Sequence, residues 1–300
     1  MTSSQRIGIV VTDTYSLEDP DHDTPLLLTA LQARDVAAEP VVWHRDDDLG
    51  RFDLLVIRSP WDYPERPADF AAWLDRAAAA TRVLNTAATV RWNLDKRYLA
   101  DLHRAGIRVV PTEYARTVDD ARAALGAHTT GRVVVKPAVS AGARDTGLFD
   151  ASDERALALA ERITTAGGIA MIQPEIAELT AGREKALYAI DGVFTHAIAK
   201  GALLAPGGGL IGGVYVEHPE LVEATAHERA FADDVLRAVA SATGEPVPLY
   251  ARIDTVDSEE FGLVVLEVEL VEPALNLHMA PHVIPVVADA IVAASIAAPA

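Results

Sequence analysis

The sequence contains no cysteine, which excludes disulfide bridges, thiolate metal sites and a cysteine nucleophile. Basic residues are also scarce, with 26 Lys and Arg against 44 Asp and Glu and a formal net charge of −18. Nucleic acids and anionic membranes are bound through basic patches, so this charge argues against both as partners. A polyanionic ligand would instead need a few locally placed cations.

Long apolar runs are absent as well. Residues 7–11 are too short for the core of a signal peptide, and Pro285 and Asp289 interrupt the Ala/Val-rich end of the chain. Half of the residues are nevertheless apolar, which favours a large core and argues against disorder. We therefore expect a soluble cytoplasmic chain whose 300 residues form two domains or one large composite domain.

Several catalytic signatures are missing too. The chain has no Walker A loop, no GxGxxG, no HExxH and no serine-hydrolase elbow. These absences exclude P-loop NTPases, and they leave function to residues dispersed along the chain.

The first part of the chain alternates strands with helices. The Asp23-Thr24-Pro25 run reads as an N-cap followed by proline in the first turn of a helix. The rhythm predicts a small parallel sheet covered by helices, with ligands beyond the carboxyl ends of the strands. Predicted strands cover 7–11, 39–43, 54–58 and 83–85, and predicted helices cover 24–34 and 69–79.

The remainder mixes strands and helices without repeats or a low-complexity linker. Predicted helices cover 89–105, 117–126, 152–166 and 219–243, with a terminal helix from 283; predicted strands include 133–137, 170–173, 184–190 and 193–200.

Two predicted strands near the end of the chain form a hairpin that carries several charges. Because side chains alternate along a strand, Arg252 and Asp254 share one face, and so do Glu267 and Glu269. Three carboxylates this close repel one another unless a cation lies among them, and hard oxygen ligands suit Mg²⁺ bridging nucleotide phosphates. The alternative is the exposed acidic face of an ordinary hairpin.

Other candidate residues have an ordinary structural interpretation beside a functional one. Lys136 ends an apolar strand and is followed by the small-residue loop 140–147, which suits a phosphate or a plain turn. Lys96 lies in a predicted helix and by itself reads as a surface lysine. His196, in an alternating strand, reads first as a satisfied sheet residue. The glycine-rich segment 206–213 reads as a mobile loop over a ligand.

Taken in order, these segments resemble the ATP-grasp superfamily over about residues 85–280, and the preceding βαβ part is similar to its preATP-grasp domain. The carrying segments are Lys96, Lys136-Pro137, the loop 140–147, Gln173-Pro174, Glu184, residues 196–200, Tyr250–Asp254 and Leu266–Leu270. The resemblance implies ATP held between two α+β subdomains, Mg²⁺, and ligation through an acylphosphate. It implies domains at 1–88, 89–175 and 176–300.

The same resemblance assigns roles by position. Lys96 and Lys136 would contact the ATP phosphates, with Ser140 and Gly142 in the phosphate loop. The run Gln173-Pro174-Glu175-Ile176 would form the adenine hinge, Glu178 would hold the ribose, and Glu184 would lie near nucleotide or substrate. Arg252 would steady the transferred phosphoryl group, and Asp254, Glu267 and Glu269 would bind Mg²⁺. Many members have Asn where this chain has Glu269, which adds negative charge at the metal.

Within the superfamily, the chain resembles the O-ureido-D-serine cyclo-ligases of D-cycloserine biosynthesis and their relatives. The carrying runs are residues 18–21, Arg58–Tyr63, Val139–Thr146 and Glu267–Pro273. This resemblance implies a small amino-acid-like substrate whose ureido nitrogen closes a ring onto its own activated carboxylate. Candidate substrate ligands are Arg58, Asp62, Tyr63, Asp21 and His196. The alternative for residues 58–63 is an aromatic cap over the end of the sheet.

Three other functions stay open. An intermolecular amide ligase would need a second amine, and a non-catalytic nucleotide-binding module would bind ATP without turnover. A two-metal hydrolase would act without ATP. For the assembly we expect a homodimer, because two-fold dimers are the commonest oligomers.

Overall fold

The computed structural model describes residues 5–15, 20–45, 47–140, 142–213 and 218–296. These residues form three sheets flanked by helices. Glu18, Asp19 and Ala141, which belong to runs that carried the resemblance, lie outside the described residues. No helix of the described part combines the length and apolarity that crossing a membrane requires.

The N-terminal sheet is parallel, as the βαβ rhythm predicted. Its strands are β1 (Arg6–Val11), β2 (Ala37–Val42), β3 (Leu54–Ser59) and β4 (Arg82–Leu84), in the order β2-β1-β3-β4. Helices α1 (Asp23–Gln32) and α2 (Pro67–Ala80) connect them. The central strands are buried because β1 and β3 consist almost wholly of aliphatic residues. The strand order reverses between β1 and β3, so loops from both strands converge at one edge.

The central sheet is antiparallel and four-stranded, in the order β5-β8-β6-β7. Its strands are β5 (Glu113–Ala115), β6 (Arg132–Pro137), β7 (Gly147–Asp150) and β8 (Ala170–Pro174). Val133 and Val135 are fully buried against α5 (Val118–Ala127) and α6 (Glu154–Thr165). Lys136 alternates with them and therefore faces the opposite side, toward the cleft.

The third sheet is antiparallel and five-stranded, in the order β11-β10-β9-β12-β13. Its strands are β9 (Glu184–Ile190), β10 (Val193–Lys200), β11 (Glu220–Val222), β12 (Tyr250–Ser258) and β13 (Gly262–Glu269). One face packs on α8 (Ala226–Thr243) through an apolar cluster that includes Leu187, Ala251 and Ile253. The opposite face meets the N-terminal domain and the cleft.

The remaining helices are α3 (Ala87–Asn93), α4 (Tyr98–Arg104), α7 (Ala177–Thr180) and α9 (Ile284–Ile296), and short 3-10 turns cover Leu49–Arg51, Tyr63–Glu65, Ile211–Gly213 and Pro281–Val283. The terminal helix α9 packs on α1, and Arg34 and Asp289 form an ion pair of 2.6 Å between them. The end of the chain thus returns to the N-terminal domain, while the boundaries at 88 and 175 stay predictions.

Three local predictions were wrong. The helix predicted over 89–105 is two helices, because the backbone N–H of Lys96 leaves the helical pattern and donates to the carbonyl of Ala138 at 2.8 Å. Residues 220–222 form an edge strand, and α8 begins only after Thr225, whose hydroxyl accepts from the N–H of Glu228.

The third wrong prediction concerns the residue that caps the start of α1. Asp21, not Asp23, accepts the first free N–H groups of α1, from Asp23 and Thr24 at 2.9 Å each. The Asp23 carboxylate instead accepts from the N–H groups of Leu275 and Leu277, at 2.5 and 2.8 Å. It therefore ties α1 to the segment after the third sheet.

Tyr250 joins the N-terminal sheet to the third sheet. Its buried hydroxyl lies 2.6 Å from the carbonyl of Ile57, 3.0 Å from that of Val271 and 3.3 Å from that of Leu84. The side chain of Asn85 completes the junction through the carbonyls of Tyr250 and Leu270, at 3.0 and 2.7 Å. The substrate-side loops and the charged strands are held in register by these bonds.

We predict that Tyr250→Phe lowers the free energy of unfolding by about 1–3 kcal/mol, because buried carbonyls lose their donor while the ring still fills its space. Urea unfolding followed by circular dichroism measures the change. Tyr114→Phe is the matched control, since the hydroxyl of Tyr114 is half-buried and lies 3.3 Å from its carbonyl partner, the backbone oxygen of Lys96. Equal losses in the two variants would contradict the prediction.

Candidate active site

A deep cavity lies between the central sheet and the third sheet. One wall carries Val134, Lys136 and Gln173 from the central sheet, and the other carries charged residues of β9, β10, β12 and β13. The chain contains four lysines, and three of them line this cavity: Lys96, Lys136 and Lys200. In so acidic a protein, this concentration marks the cavity as a site for an anionic ligand.

The inner end of the cavity is formed by the predicted hairpin. Arg252 pairs with Glu269 across β12 and β13, and Asp254 pairs with Glu267, which confirms that the four side chains share one face. The guanidinium of Arg252 donates to Asp254 at 2.9 Å and also binds Glu269. Lys200 donates to the same Asp254 at 2.9 Å. Asp254 and Glu269 therefore share Arg252, and the hairpin does not present an ordinary exposed acidic face.

The proton affinities of these carboxylates diverge. Burial by itself raises the pKa of Asp254, but Arg252 and Lys200 outweigh burial and hold that pKa below its usual value. Burial likewise raises the pKa of Glu269, to about 8; repulsion from Asp254 and Glu267 adds to burial, and Arg252 opposes it. Without a further cation, the folded protein thus holds a proton at this end of the cavity.

Two lysines face the cavity from the opposite side. Lys96, 7% exposed, lies 3.0 Å from Glu267 and 2.5 Å from the carbonyl of Ser140. Burial disfavours its charge, but Glu267 keeps the pKa of Lys96 above its usual value. Lys136 forms no ion pair with any residue that the structure describes, and burial together with nearby Lys96 lowers its pKa. Lys136 is therefore the cation that gains most from an incoming phosphate.

The predicted hinge run lines the cavity, and both of its polar side chains are already bonded. Gln173 donates to the hydroxyl of Thr112 at 2.8 Å, and the carboxylate of Glu175 accepts from Arg132 and Thr180 at 2.8 and 2.7 Å. Pro174 and Ile176 line the same wall. The backbone and apolar surface of this run remain available to a flat base.

Glu178 does not reach the cavity. Its carboxylate accepts from the backbone N–H of Glu259 at 3.1 Å and lies 3.5 Å from Arg183, so it fastens the turn between β12 and β13. Thr180, two residues further along the chain, lines the cavity in its place. The ribose role implied for Glu178 therefore lacks structural support.

Two loops close the cavity from the side. Ser140, Gly142 and Thr146 line it, and Gly142 has a φ of +62°, a backbone conformation that suits glycine. The glycine-rich loop crosses from the third sheet, and the N–H groups of Gly207 and Gly208 donate to the carbonyl of Leu148 on β7 at 2.8 and 2.9 Å. This loop thus bridges the two walls, as expected for a cover; its mobility stays a prediction.

Among the five predicted substrate ligands, only Tyr63 lines the cavity. The carboxylate of Asp62 accepts from Trp43 at 2.7 Å and pairs with Arg66, and Asp21 caps α1. His196 stacks on Tyr188 with ring centroids 4.2 Å apart and donates to the carbonyl of Leu275 at 2.9 Å. Burial lowers the pKa of His196 to about 4, so it is a neutral sheet residue.

Arg58 lies behind the cavity wall and is 2% exposed. Its guanidinium packs on the ring of Tyr250 at 4.7 Å and donates to the carbonyl of Pro273 at 2.5 Å. The cavity is therefore not lined by four of the predicted substrate ligands: Arg58, Asp62, Asp21 and His196. Each of them holds the elements that carry the cavity residues.

Sequence reasoning gave no role to Lys200 or Glu272, which both line the cavity. Lys200 ends β10 and lies 3.3 Å from Glu184 as well as bonding Asp254. Alternation from His196 had placed Lys200 on the same face, so that signal was present. Glu272 lies after the end of β13, where the alternation of side chains along a strand no longer predicts which way a side chain points.

Two α+β layers that enclose lysines on one side and an arginine with carboxylates on the other form the arrangement of an ATP-grasp ligase. Residues 7–85 match the model of the N-terminal domain of D-cycloserine synthetase DcsG. The chain is 37% identical to the cycloserine biosynthesis protein DcsG of Streptomyces lavendulae over 276 residues, 89% of this chain and 92% of that protein. The chain therefore belongs to the DcsG family of ATP-grasp ligases and is an ATP-dependent ligase.

Solved structures agree with this assignment. The crystal structure of D-cycloserine synthetase DcsG matches with a TM-score of 0.89 and 32% identity, covering 97% of this chain and 99% of that one. D-alanine–D-alanine ligase from Bacillus anthracis, complexed with ATP, matches with a TM-score of 0.65 and 15% identity, covering 98% of each chain. The ligase PsnB with Mg and ADP gives a TM-score of 0.62 at 18% identity, covering 96% of this chain and 98% of that one. These two neighbours were therefore solved with ligands bound, one with ATP and the other with Mg and ADP.

The carboxylate oxygens at the inner end of the cavity suit a magnesium ion that is also coordinated by nucleotide phosphates. Within the described ranges, no group of three or more acidic or histidine side chains is gathered as a ready metal site. Mg²⁺ usually takes only one or two carboxylates, with phosphate oxygens and water completing its shell. The oxygens of Asp254, Glu267 and Glu269 supply that chemistry beside the phosphate-side lysines.

We predict that the ligand-free protein becomes less stable as pH rises from about 6.5, where His196 is already neutral in both states, to about 8. Glu269 keeps its proton in the folded state up to about pH 8 but loses it near its ordinary value of 4.5 when unfolded. The folded state therefore binds more protons within that window, and its stability falls as pH rises. Thermal unfolding in EDTA measures the trend.

Glu269→Gln should make this fall shallower and leave only the part from Glu272, whose pKa burial raises to about 7, whereas exposed Glu260→Gln should leave it unchanged. Parallel curves for wild type and Glu269→Gln would show that another group is responsible.

Proposed function

We propose that the protein cyclises O-ureido-D-serine to D-cycloserine at the expense of ATP. The observation that carries this proposal is the 37% identity to a cycloserine biosynthesis protein along 89% of the chain. The cavity supports it, because phosphate-binding lysines, an arginine–carboxylate cluster and Tyr63 of the N-terminal domain all line one space. A compound with its nucleophile and carboxylate in one molecule needs no second amine site.

The chemistry proceeds in two transfers. A carboxylate oxygen of the substrate attacks the γ-phosphorus of ATP, the bond to the β–γ bridging oxygen breaks, and ADP leaves. The ureido nitrogen bonded to oxygen then attacks the acyl carbon, loses its proton and expels phosphate, which closes the five-membered ring. Water removes the carbamoyl group as carbon dioxide and ammonia.

In this proposal, the role of each cavity residue follows from the wall on which it lies. Lys96 and Lys136 bind the phosphates from the side of the central sheet, and the run 173–176 holds the adenine. Arg252 is placed to neutralise charge on the transferred phosphoryl group, a task that positioning and electrostatics dominate. Bound Mg²⁺ would neutralise phosphate charge and would be held by Asp254, Glu267 and Glu269. Glu184 pairs with Lys200 and orients it toward Asp254.

The expected cytoplasmic location and homodimeric assembly accompany this proposal as predictions. Size-exclusion chromatography with light scattering tests the assembly.

The decisive assay compares ADP release with O-ureido-D-serine, its L-enantiomer and no substrate. We expect release to be stimulated by the D-compound, with cycloserine detected by mass spectrometry. A product whose mass is the sum of two amino acids would instead identify an intermolecular ligase. Tight ATP binding without turnover on any amino acid would indicate a nucleotide-binding module.

We predict that Lys136→Met lowers kcat/KM for ADP release by about 100-fold or more, because the phosphates lose a desolvated cation. Lys185→Met is the matched control, since Lys185 pairs with Glu228 outside the cavity at 2.8 Å. The control should stay within about twofold of wild type. Circular dichroism verifies folding, and full activity of Lys136→Met would refute the phosphate role.

A further inference from the structure

The carboxylates that line the cavity differ in whether a cation meets them. Among the described residues there are six, and five lie within 4 Å of a Lys or Arg nitrogen. The five are Glu175, Glu184, Asp254, Glu267 and Glu269. Glu272 is the sixth; it is 9% exposed and forms no ion pair with any described residue. A buried carboxylate of this kind is costly unless a ligand supplies the positive charge.

Glu272 lies where the N-terminal domain meets the inner end of the cavity. Its carboxylate interacts with the side chain of Tyr63, which also lines the cavity. Its backbone carbonyl accepts from the indole of Trp61 at 2.9 Å, and the next carbonyl, of Pro273, accepts from Arg58. The loop predicted to bind substrate thus acts mainly by fixing Glu272 and by presenting Tyr63.

Three described aspartates of the nearby N-terminal elements are bonded elsewhere. Asp21 accepts from Ser59 and from the start of α1, Asp23 accepts from Leu275 and Leu277, and Asp62 pairs with Arg66. None of these three lines the cavity. The unmatched negative charge of the described cavity wall therefore resides on Glu272.

We propose that Glu272, with Tyr63, binds the α-ammonium group of the amino-acid substrate. This inference rests on the proposed function, which supplies a zwitterion as substrate. Tyr63 lines the cavity beside Glu272 and interacts with its carboxylate, which faces the space that the ammonium would occupy. The pair selects for an amino group, whereas Arg252 and the lysines act on the reacting carboxylate and the phosphates.

The spacing along the chain suits this division. Glu272 follows Glu269 by three residues, which span at most about 10 Å even when fully extended. The ammonium and carboxylate of an α-amino acid share one carbon, so a substrate anchored at Glu272 presents its carboxylate toward Arg252. Fixing both groups leaves one direction for the side chain, which makes the site sensitive to the configuration of that carbon.

The electrostatics of Glu272 agree with a missing cation. Burial raises its pKa to about 7; the hydrogen bond from Tyr63 and the charge of Lys96 oppose burial, and Glu267 adds to it. An ammonium group at hydrogen-bond distance would favour the ionised carboxylate and offset the cost of its burial.

The test compares wild type and Glu272→Gln with O-ureido-D-serine and with its analogue lacking the α-amino group. For the amino substrate, Glu272→Gln should raise KM about 10- to 100-fold and leave KM for ATP and the Mg²⁺ requirement unchanged. For the analogue, wild type and variant should have similar KM values. Tyr63→Phe should raise KM for the amino substrate less, and exposed Glu113→Gln should leave it unchanged.

The other outcomes overturn the inference. An altered Mg²⁺ or ATP requirement in folded Glu272→Gln would make Glu272 a metal or nucleotide ligand. An equal rise in KM for both compounds would make it a structural residue. An active wild type with unchanged KM in the variant removes this inference alone, whereas no ADP release by wild type removes the proposed function and this inference together.

Discussion

The site depends on one electrostatic constraint, namely that carboxylates gathered in a buried cleft must each meet a positive charge. Arg252 serves Asp254 and Glu269 together, and Lys200 supplies a second cation to Asp254. Burial is not fully offset at Glu269 and Glu272, and the pKa of each carboxyl is raised, to about 8 and about 7. In the proposed function, the additional positive charge comes from the bound metal ion and from the ammonium group of the substrate. The Lys136 side of the cavity receives the negative charge of the nucleotide.

The second requirement is a rigid junction between the N-terminal sheet and the charged strands. Tyr250 and Asn85 bond carbonyls from both parts, and Asp23 fastens α1 to the segment after β13. Arg58 stacks on Tyr250 and holds Pro273, next to Glu272. Residues that looked like substrate ligands in the sequence are thus supports, because a strand-end loop must first anchor itself before it can present one side chain.

Prediction from sequence succeeded where the signal is local. Alternation along β12 and β13 placed Arg252, Asp254, Glu267 and Glu269 on one face, and the strands predicted over 184–190 and 193–200 are β9 and β10. It failed where a distant partner decides. The helix predicted over 89–105 breaks because Lys96 bonds Ala138.

The sequence by itself determined the fold class and the faces on which charged side chains lie, because strand periodicity and the order of segments are properties of the chain alone. Only the tertiary structure decided which charges are paired and which residue is left for the ligand. Among the described residues Glu272 forms no ion pair, because the fold places Tyr63 near its carboxylate while Lys96 and Arg252 bind other carboxylates. Such pairing depends on distances between elements remote in sequence, which no local pattern encodes.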